Sequence, residues 1–451
     1  MKIDKYNIGH RKKKLKEVRR RLESSQLNAV RELLPDSTIK GICEECGYYF
    51  RSRLLTPLVT IFHMLAAAIS REGSFQSAWH NVGEIGKSDS LSRARKRLPV
   101  GVWEGLGQWI AGQIDDEFKQ ESLWRGHRVI GIDGTCVSMS DEEELEKVFG
   151  KSGSRQGRSR FPIARVVFAV TLNTMVTIGH KVGSYRTSEN SLFAEIIKKL
   201  SPGDLIIGDR RYAGAKLYVE YMHAGIEFIT KAHQRLKVEL LKKVNVLGKD
   251  DFIVQLPIPD MYRRKDHTLP QSIAVRVIKT KARVRGQRET FWLVTSLLYA
   301  KRYPAEEIRI LYKKRWKLEG LIEEIKIWLG ADVLRSKTEE GIYKELYARV
   351  IAGNLIHWLI LKAAKKNRKD MERISFSATV RLMASYSLKM SVAPFWMLPM
   401  LYDDLLERIA NSKVAYRPGR IEPRLKKRDQ KHYGLLKISR KEWRALNAMA
   451  A

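Results

Sequence analysis

Apolar and polar positions divide the chain into helical ends around a strand-rich middle. Near the N-terminus, a segment from His10 to Arg21 is dense in Lys and Arg, and an uncharged stretch runs from Leu54 to Ser70. That stretch holds Thr56, Pro57, Thr60 and His63, so it reads as a buried helix and not a membrane span. In "SFQSAWHNVGEIGKSDSLSRARKRLP", Ser88 or Asp89 caps a helix that runs to Leu98 and stops before Pro99. A short helix, a Gly-containing turn and an Arg-rich second helix fit a helix-turn-helix. From 126 to 232 the pattern changes. "HRVIGIDGTCVSM" reads as an apolar strand ending in a turn, and "ARVVFAVTLNTMVTIGHKVG" as two β-branched strands joined near Asn173. A helix with Glu189 near its start, a short buried strand Leu205 to Gly208, another helix and another strand follow. Strands first, then alternating strand and helix, predict an α/β fold with a mixed sheet flanked by helices. Residues 233–298 are again strand-like and read as an all-β insertion; helices return from about Pro304 to Leu329, near 340–366 and near 376–410.

The segment after Pro304 carries Tyr312, Arg315, Glu319 and Lys326. At 3.6 residues per turn these lie at roughly 0°, 300°, 340° and 320°, within one arc about 60° wide. Leu311, Leu318, Ile322, Ile325 and Leu329 occupy the adjoining arc, so the polar stripe flanks the face that packs on the sheet. A semi-buried carboxylate between cations is held ionised. The plain alternative is a salt-bridged surface, since Arg315 and Glu319 are an i,i+4 pair. Glu323 lies near 20° and competes with Glu319 for any chemical role.

Two aspartates stand at strand ends. Asp133 follows "VIGI", and Asp209 follows "LIIG". Alone, each reads equally as a turn or cap residue, as Asp141, Asp204 and Asp332 do. Carboxylates at the ends of adjacent buried strands can converge, and with a helix-borne Glu they make an all-oxygen site suited to Mg²⁺ or Mn²⁺. Two such ions about 3.5–4 Å apart suit phosphoryl transfer.

Charge narrows the partner. Lys and Arg number 84 against 50 Asp and Glu, a net charge of +34. That excess points to a polyanion such as nucleic acid. Arg93 and Arg97, with Arg95 and Lys96, either meet DNA or form a solvated face. Three cysteines argue against a disulfide scaffold and for a reducing compartment. Cys43 and Cys46 form one CxxC with no second ligand pair at finger spacing, which disfavours zinc. No apolar signal segment opens the chain, so the expectation is a soluble, cytoplasmic protein.

"YKKRWKLEGLIEEIK" reads Tyr-x2-Arg-x3-Glu-x6-Lys, and with "GIDGT" and "GDRRY" in order before it, it resembles the insertion-sequence-four group of DDE transposases. "SDSLSRARKRLP", "LGADVLRSKTEEGIYKELYARVIAGNLI" and "RPGRIEPRLKKR" are similar to other segments of that group. The resemblance implies an RNase H-like catalytic core with Asp133, Asp209 and Glu319 as catalytic metal ligands, preferring Glu319 over Glu323. It implies that Tyr312, Arg315 and Lys326 contact transposon-end phosphates, with Arg210 as a further DNA contact. Trp292 is then the residue that stacks on a base flipped from a DNA hairpin intermediate, with Phe291 as its competitor and a core tryptophan as the plain alternative. Arg211 departs from the group, which commonly has glycine there. The implied organisation is a helical DNA-binding region 1–120, core parts 121–232 and 299–370, a β-rich insertion 233–298, and a helical C-terminal region with a basic tail, 371–451. The implied protein is a bacterial, nucleoid-associated, metal-dependent transposase that cuts and pastes an insertion sequence between double-stranded DNAs and works as a homodimer in the synaptic complex. The rival readings are a related nuclease that lacks strand transfer and a catalytically decayed DNA-binding regulator.

Overall fold

The computed structural model describes residues 33–50, 55–70, 88–154, 157–158, 161–284 and 287–415, with three isolated residues further on. The His10–Arg21 segment, the first half of the expected helix-turn-helix and the basic tail lie outside the described residues. The expected buried helix runs over Pro57–Ile69 (α2), after α1, Asp36–Glu45. Thr56 caps α2 by accepting from the Val59 N–H, and Pro57 sits in its first turn, where a missing N–H costs nothing. The Arg-rich helix is α3, Ser88–Arg97, followed by α4, Val100–Glu117. Leu91, Ala94 and Leu98 are buried while Arg93 and Arg97 face solvent one turn apart.

The sheet is built from β1 (His127–Met139), β2 (Ile163–Thr171), β3 (Val176–Ser184), β4 (Leu205–Gly208), β5 (Glu227–Lys231), β6 (Lys242–Gly248), β7 (Asp251–Pro257), β8 (Ser272–Val284) and β9 (Gln287–Thr295). Helix α5, Glu189–Ile197, joins β3 to β4, and α6, Ala215–His223, joins β4 to β5. The strand order is β3-β2-β1-β4-β5-β9-β8-β7-β6, with two-residue strands Leu123–Trp124 and Val333–Leu334 added beside β1. Strands β1, β2 and β3 are antiparallel, while β4 and β5 run parallel to β1. An antiparallel meander followed by two parallel crossover strands is the RNase H-like arrangement. The insertion does not form a sheet of its own: β9 pairs antiparallel with β5, so β6–β9 extend the same sheet. A one-turn helix, Asp260–Arg263, interrupts its all-β character.

Alternating side chains give the sheet two apolar faces. Val129, Leu205, Ile207 and Ile229 pack with Leu311, Leu318 and Ile325 on one face. Ile130, Ile132, Ile206 and Phe228 pack with Phe193 of α5 and Tyr218 and Tyr221 of α6 on the other. A third core joins α1, α2 and α4 to the helices Glu339–Asn367, Phe376–Val392 and Leu398–Asn411, so both ends of the chain share one interior. Among the described residues, no helix is long and apolar enough to cross a membrane.

Candidate active site

Two features of β1 set the site. The strand does not end at Asp133, as the Gly-Thr that follows suggested; β2 pairs with it from Ile130 to Ser138, and this antiparallel ladder carries it on to Met139. Its parallel pairing with β4 does end there, at Ile132 opposite Gly208. Asp133 and Asp209 are the next residues on the two strands, so the sheet itself sets the two carboxylates side by side. Gly131 lies one alternation before Asp133, on the same face. A Cβ at Gly131 would sit 2.6 Å from Leu318 and 2.6 Å from Leu172, so the glycine is what lets the Glu319 helix come down onto β1.

That helical segment is not one uniform helix. It runs as α7 (Ala305–Lys313), a 3₁₀ turn (Lys314–Trp316), α8 (Lys317–Glu323) and a π turn (Glu324–Trp328). The tightening and widening shift the polar stripe of an ideal helix by its end. Tyr312, Arg315 and Glu319 still project together. Lys326, carried past the start of the π turn, leaves the group: its ammonium donates to the Cys136 carbonyl at 3.0 Å and pairs with Asp332 at 2.9 Å.

Asp133, Asp209 and Glu319 line one depression of 830 Å³, together with Glu189, Arg210, Arg211, Lys231, Glu289, Phe291, Tyr312 and Arg315. Glu323 is exposed outside that wall, and Glu324 is engaged by His357 at 3.0 Å. The Arg315 guanidinium spans two of the acids, 3.8 Å from Asp133 and 3.7 Å from Glu319. Among the described residues no three acidic, Cys or His side chains already stand at metal-coordinating spacing; Arg315 lies where the charge of a cation is needed. Asp133 Oδ1 accepts from the Gly134 N–H at 2.8 Å, and Asp209 Oδ1 accepts from the Arg211 N–H at 2.8 Å, closing a 3₁₀ turn. Burial pushes the Asp133 carboxyl up to about 6, with Asp209 and Glu189 adding to the rise, and the Gly134 N–H and Arg315 opposing it. Burial also pushes the Tyr312 hydroxyl up to about 12.

The basic and aromatic side of the depression comes from long-range pairing. Lys231 ends β5 and Phe291 lies in β9; the ammonium stands 4.3 Å from the Phe291 ring centre and is ion-paired to Glu289, which Arg210 also approaches at 3.8 Å. Phe291 packs on Tyr312 with ring centres 5.9 Å apart. Trp292 takes the opposite face of β9, as alternation requires, and its indole N–H donates to Glu239 at 3.1 Å. The structure therefore does not bring Trp292 to the carboxylates; its neighbour Phe291 is there instead. Arg93 and Arg97 belong to α3, outside this depression.

Sequence reasoning did not single out Glu189, Lys231 or Glu289 for this wall. Glu189 opens a helix behind a Ser188 cap, where an acid is ordinary. Lys231 and Glu289 meet only through the β5–β9 pairing, which local pattern does not show. Cys43 is buried and Cys46 exposed, and all three cysteines are free thiols.

A family model described as Transposase DDE domain matches residues 124–355. The transposase InsG for insertion sequence element IS4 of Escherichia coli (strain K12) is 25% identical over 312 residues, 67% of this chain and 68% of the relative. A probable transposase for insertion sequence element IS5377 of Geobacillus stearothermophilus is 25% identical over 358 residues, 77% of this chain and 88% of the relative. Among solved structures, a piggyBac transposase synaptic complex with hairpin DNA aligns at a TM-score of 0.44 and 11% identity, over 88% of this chain and 86% of that one.

Proposed function

Because the chain belongs to the Transposase DDE domain family, we propose that Asp133, Asp209 and Glu319 form the active site of an insertion-sequence transposase that cuts DNA at the element's ends and joins them to target DNA. The observation that carries the reading is the convergence, on one depression, of three acids from two strands and a helix separated by up to 186 positions, ringed by Arg210, Lys231 and Arg315. The donor set suits divalent metal. It is all oxygen, and Asp133 is crowded by like charge that a cation relieves. When bound, Mg²⁺ or Mn²⁺, two ions on this reading, supplies Lewis acidity to the transferring phosphate.

The chain's own residues do the rest. Asp133 and Asp209 are fixed by adjacent strands and by their backbone N–H donors, so they enter the reaction already oriented. Arg315, which lies 3.8 Å from Asp133 and 3.7 Å from Glu319, would be free to hold the scissile phosphate when those carboxylates hold metal. Its fork geometry and buried stem make it the group that steadies charge on that phosphate. Tyr312 stays protonated at neutral pH and donates its hydroxyl, and Lys231 and Arg210 neutralise flanking phosphates. Lys326 donates to the Cys136 carbonyl, three residues past Asp133 on the same strand, and reaches DNA by releasing Asp332. Water hydrolyses one strand at the element's end and frees its 3′-hydroxyl; that hydroxyl attacks the phosphodiester of the opposite strand and expels the 3′-oxygen of the flanking DNA, closing a hairpin. Water then reopens the hairpin, restoring the 3′-hydroxyl, which attacks a target phosphodiester and expels a target 3′-oxygen. Phe291 or Trp292 receives the base unstacked in that hairpin. Two subunits pair two element ends, with α3 and the basic segments holding DNA.

The test is incubation of the full chain with labelled element-end DNA and Mg²⁺, resolving nicks, hairpins and joined products on a denaturing gel. Glu319→Gln abolishes all three with DNA binding retained. An unchanged processing rate sinks the assignment, and cutting without joining of pre-cut 3′-hydroxyl ends makes the protein a nuclease.

A further inference from the structure

Glu189 stands in the candidate active site without belonging to the motif that defines it. It opens α5 on the sheet face opposite Glu319, yet its carboxylate reaches the depression through the gap left by Gly134. A Cβ on Gly134 would lie 2.7 Å from Glu189 Cδ and 2.8 Å from its Oε2, so the missing side chain next to Asp133 is what admits this acid. The Glu189 side chain is only 11% exposed. Burying a carboxylate is costly unless its charge is matched. Its match is Arg211, whose Nη1 donates to Oε1 at 2.5 Å, with the Tyr212 hydroxyl donating at 3.4 Å. Arg211 is itself 64% exposed, and an ion pair held by so exposed a partner is weak and readily exchanged. The same residue's backbone N–H holds Asp209, so one short turn clamps two acids of the site, one by its peptide and one by its exposed guanidinium.

The geometry points to Glu189 as a fourth carboxylate for the divalent metal that, on the reading above, Asp133, Asp209 and Glu319 hold, with Arg211 as the counter-cation that metal displaces. Glu189 then fills the site from the second face of the sheet, and Arg211 keeps it oriented and neutralised while metal is absent. Metal entry releases the guanidinium to solvent, where it is free for a DNA phosphate. The pair thus sets how much metal the protein needs: a competing cation built into the site raises the concentration at which metal binds.

The experiment is titration of the full chain with Mn²⁺, without DNA, reading free Mn²⁺ by electron paramagnetic resonance. Glu189→Gln weakens Mn²⁺ binding tenfold or more. Arg211→Gly, which deletes the competitor and leaves the carboxylate, tightens it severalfold. Opposite signs at two touching residues are not the outcome of a damaged fold; weakening by both variants overturns the counter-cation role. Asp133→Asn separates the two levels of the argument. If it weakens binding while Glu189→Gln matches the unaltered protein, the fourth-carboxylate inference fails and the metal reading stands. If neither changes Mn²⁺ affinity, the metal reading fails with it.

Discussion

Asp133→Asn should make the metal-free protein more stable while removing a carboxylate that the proposed function requires. The carboxyl is raised from 3.8 to about 6, chiefly by burial and then by the charges of Asp209 and Glu189. A folded-state pKa above the unfolded value means that the native state binds the proton more tightly. Stability is then highest at low pH and falls as pH rises from the unfolded value to about 6. Above that the site carries the full penalty, which at 1.36 kcal/mol per unit is about 3 kcal/mol for a shift near two units. The side chain is 21% exposed, so screening trims this to roughly 2 kcal/mol. Asparagine keeps an oxygen for the Gly134 N–H and loses only a 3.8 Å attraction to Arg315. Urea unfolding in EDTA at pH 4, 6 and 8, followed by circular dichroism, measures the effect. The variant gains roughly 2 kcal/mol at pH 8 and about the same at pH 7. The gain shrinks towards zero at pH 4, where the native carboxyl is already neutral. Saturating Mg²⁺ stabilises the unaltered protein and not the variant. Equal or lower stability of the variant at pH 8, or a gain independent of pH, refutes the account of Asp133 as a charge held against its surroundings.

The other predictions concern neighbouring parts. Gly131→Ala puts a methyl against Leu318 and Leu172, and overpacking of this kind costs about 1–3 kcal/mol; DNA cutting falls further than DNA binding, because the strain falls on the helix bearing Glu319, and equal losses in gel-shift and cleavage assays would refute that. Arg276 is fully buried and bidentate to Asp251 at 2.7 and 2.6 Å, so Arg276→Ala leaves a buried carboxylate alone and costs about 3–5 kcal/mol in denaturant unfolding. A loss below about 1 kcal/mol would mean that water reaches the pair. Phe291→Ala lowers hairpin yield by about 5- to 150-fold if that ring stacks on the unstacked base, each stack being worth about 1–3 kcal/mol. Trp292→Ala then leaves the yield near that of the unaltered protein, and the reverse ranking would return the role to Trp292.

Local pattern and long-range pairing contributed unequally to what was legible. The hairpin turn near Asn173, the buried strand Leu205–Gly208 and the helix opened by Glu189 are visible in the sequence, because their apolar period and turn residues are local. The course of β1 past Asp133 is not: Gly-Thr reads as a turn, and only the antiparallel partner β2 keeps the strand extended. The insertion reads as β-rich but not as a continuation of the same sheet, since the β5–β9 ladder joins residues about 60 positions apart. That pairing also decides which of two adjacent aromatics faces the acids, because period-two alternation offers Phe291 or Trp292 according to register. The helix arithmetic that gathered Tyr312, Arg315 and Glu319 holds over two turns. It fails for Lys326, where a π turn adds a residue to the turn.

The same alternation explains why the site draws on both faces of the sheet. Asp133 points to the face that carries Arg315 and Glu319, and the next residue points to the face that carries Glu189. A Cβ at that residue would lie 2.7 Å from Glu189 Cδ and 2.8 Å from its Oε2, so any other side chain there pushes the carboxylate aside. Asp-Gly here therefore has a different meaning from the turn it resembles. On the proposed reading the aspartate is a ligand, and the glycine leaves an opening through the plane of the strand. The strand that continues past Asp133 keeps the acid and the glycine on opposite faces of the pleat. It needs a partner on the far side to keep the pleat in register, and β2 is that partner. The uninterrupted strand that the sequence conceals is thus what sets Asp133 and Gly134 on opposite faces. The Glu189→Gln and Gly134→Ala variants should then share a phenotype, since the second displaces the carboxylate that the first neutralises.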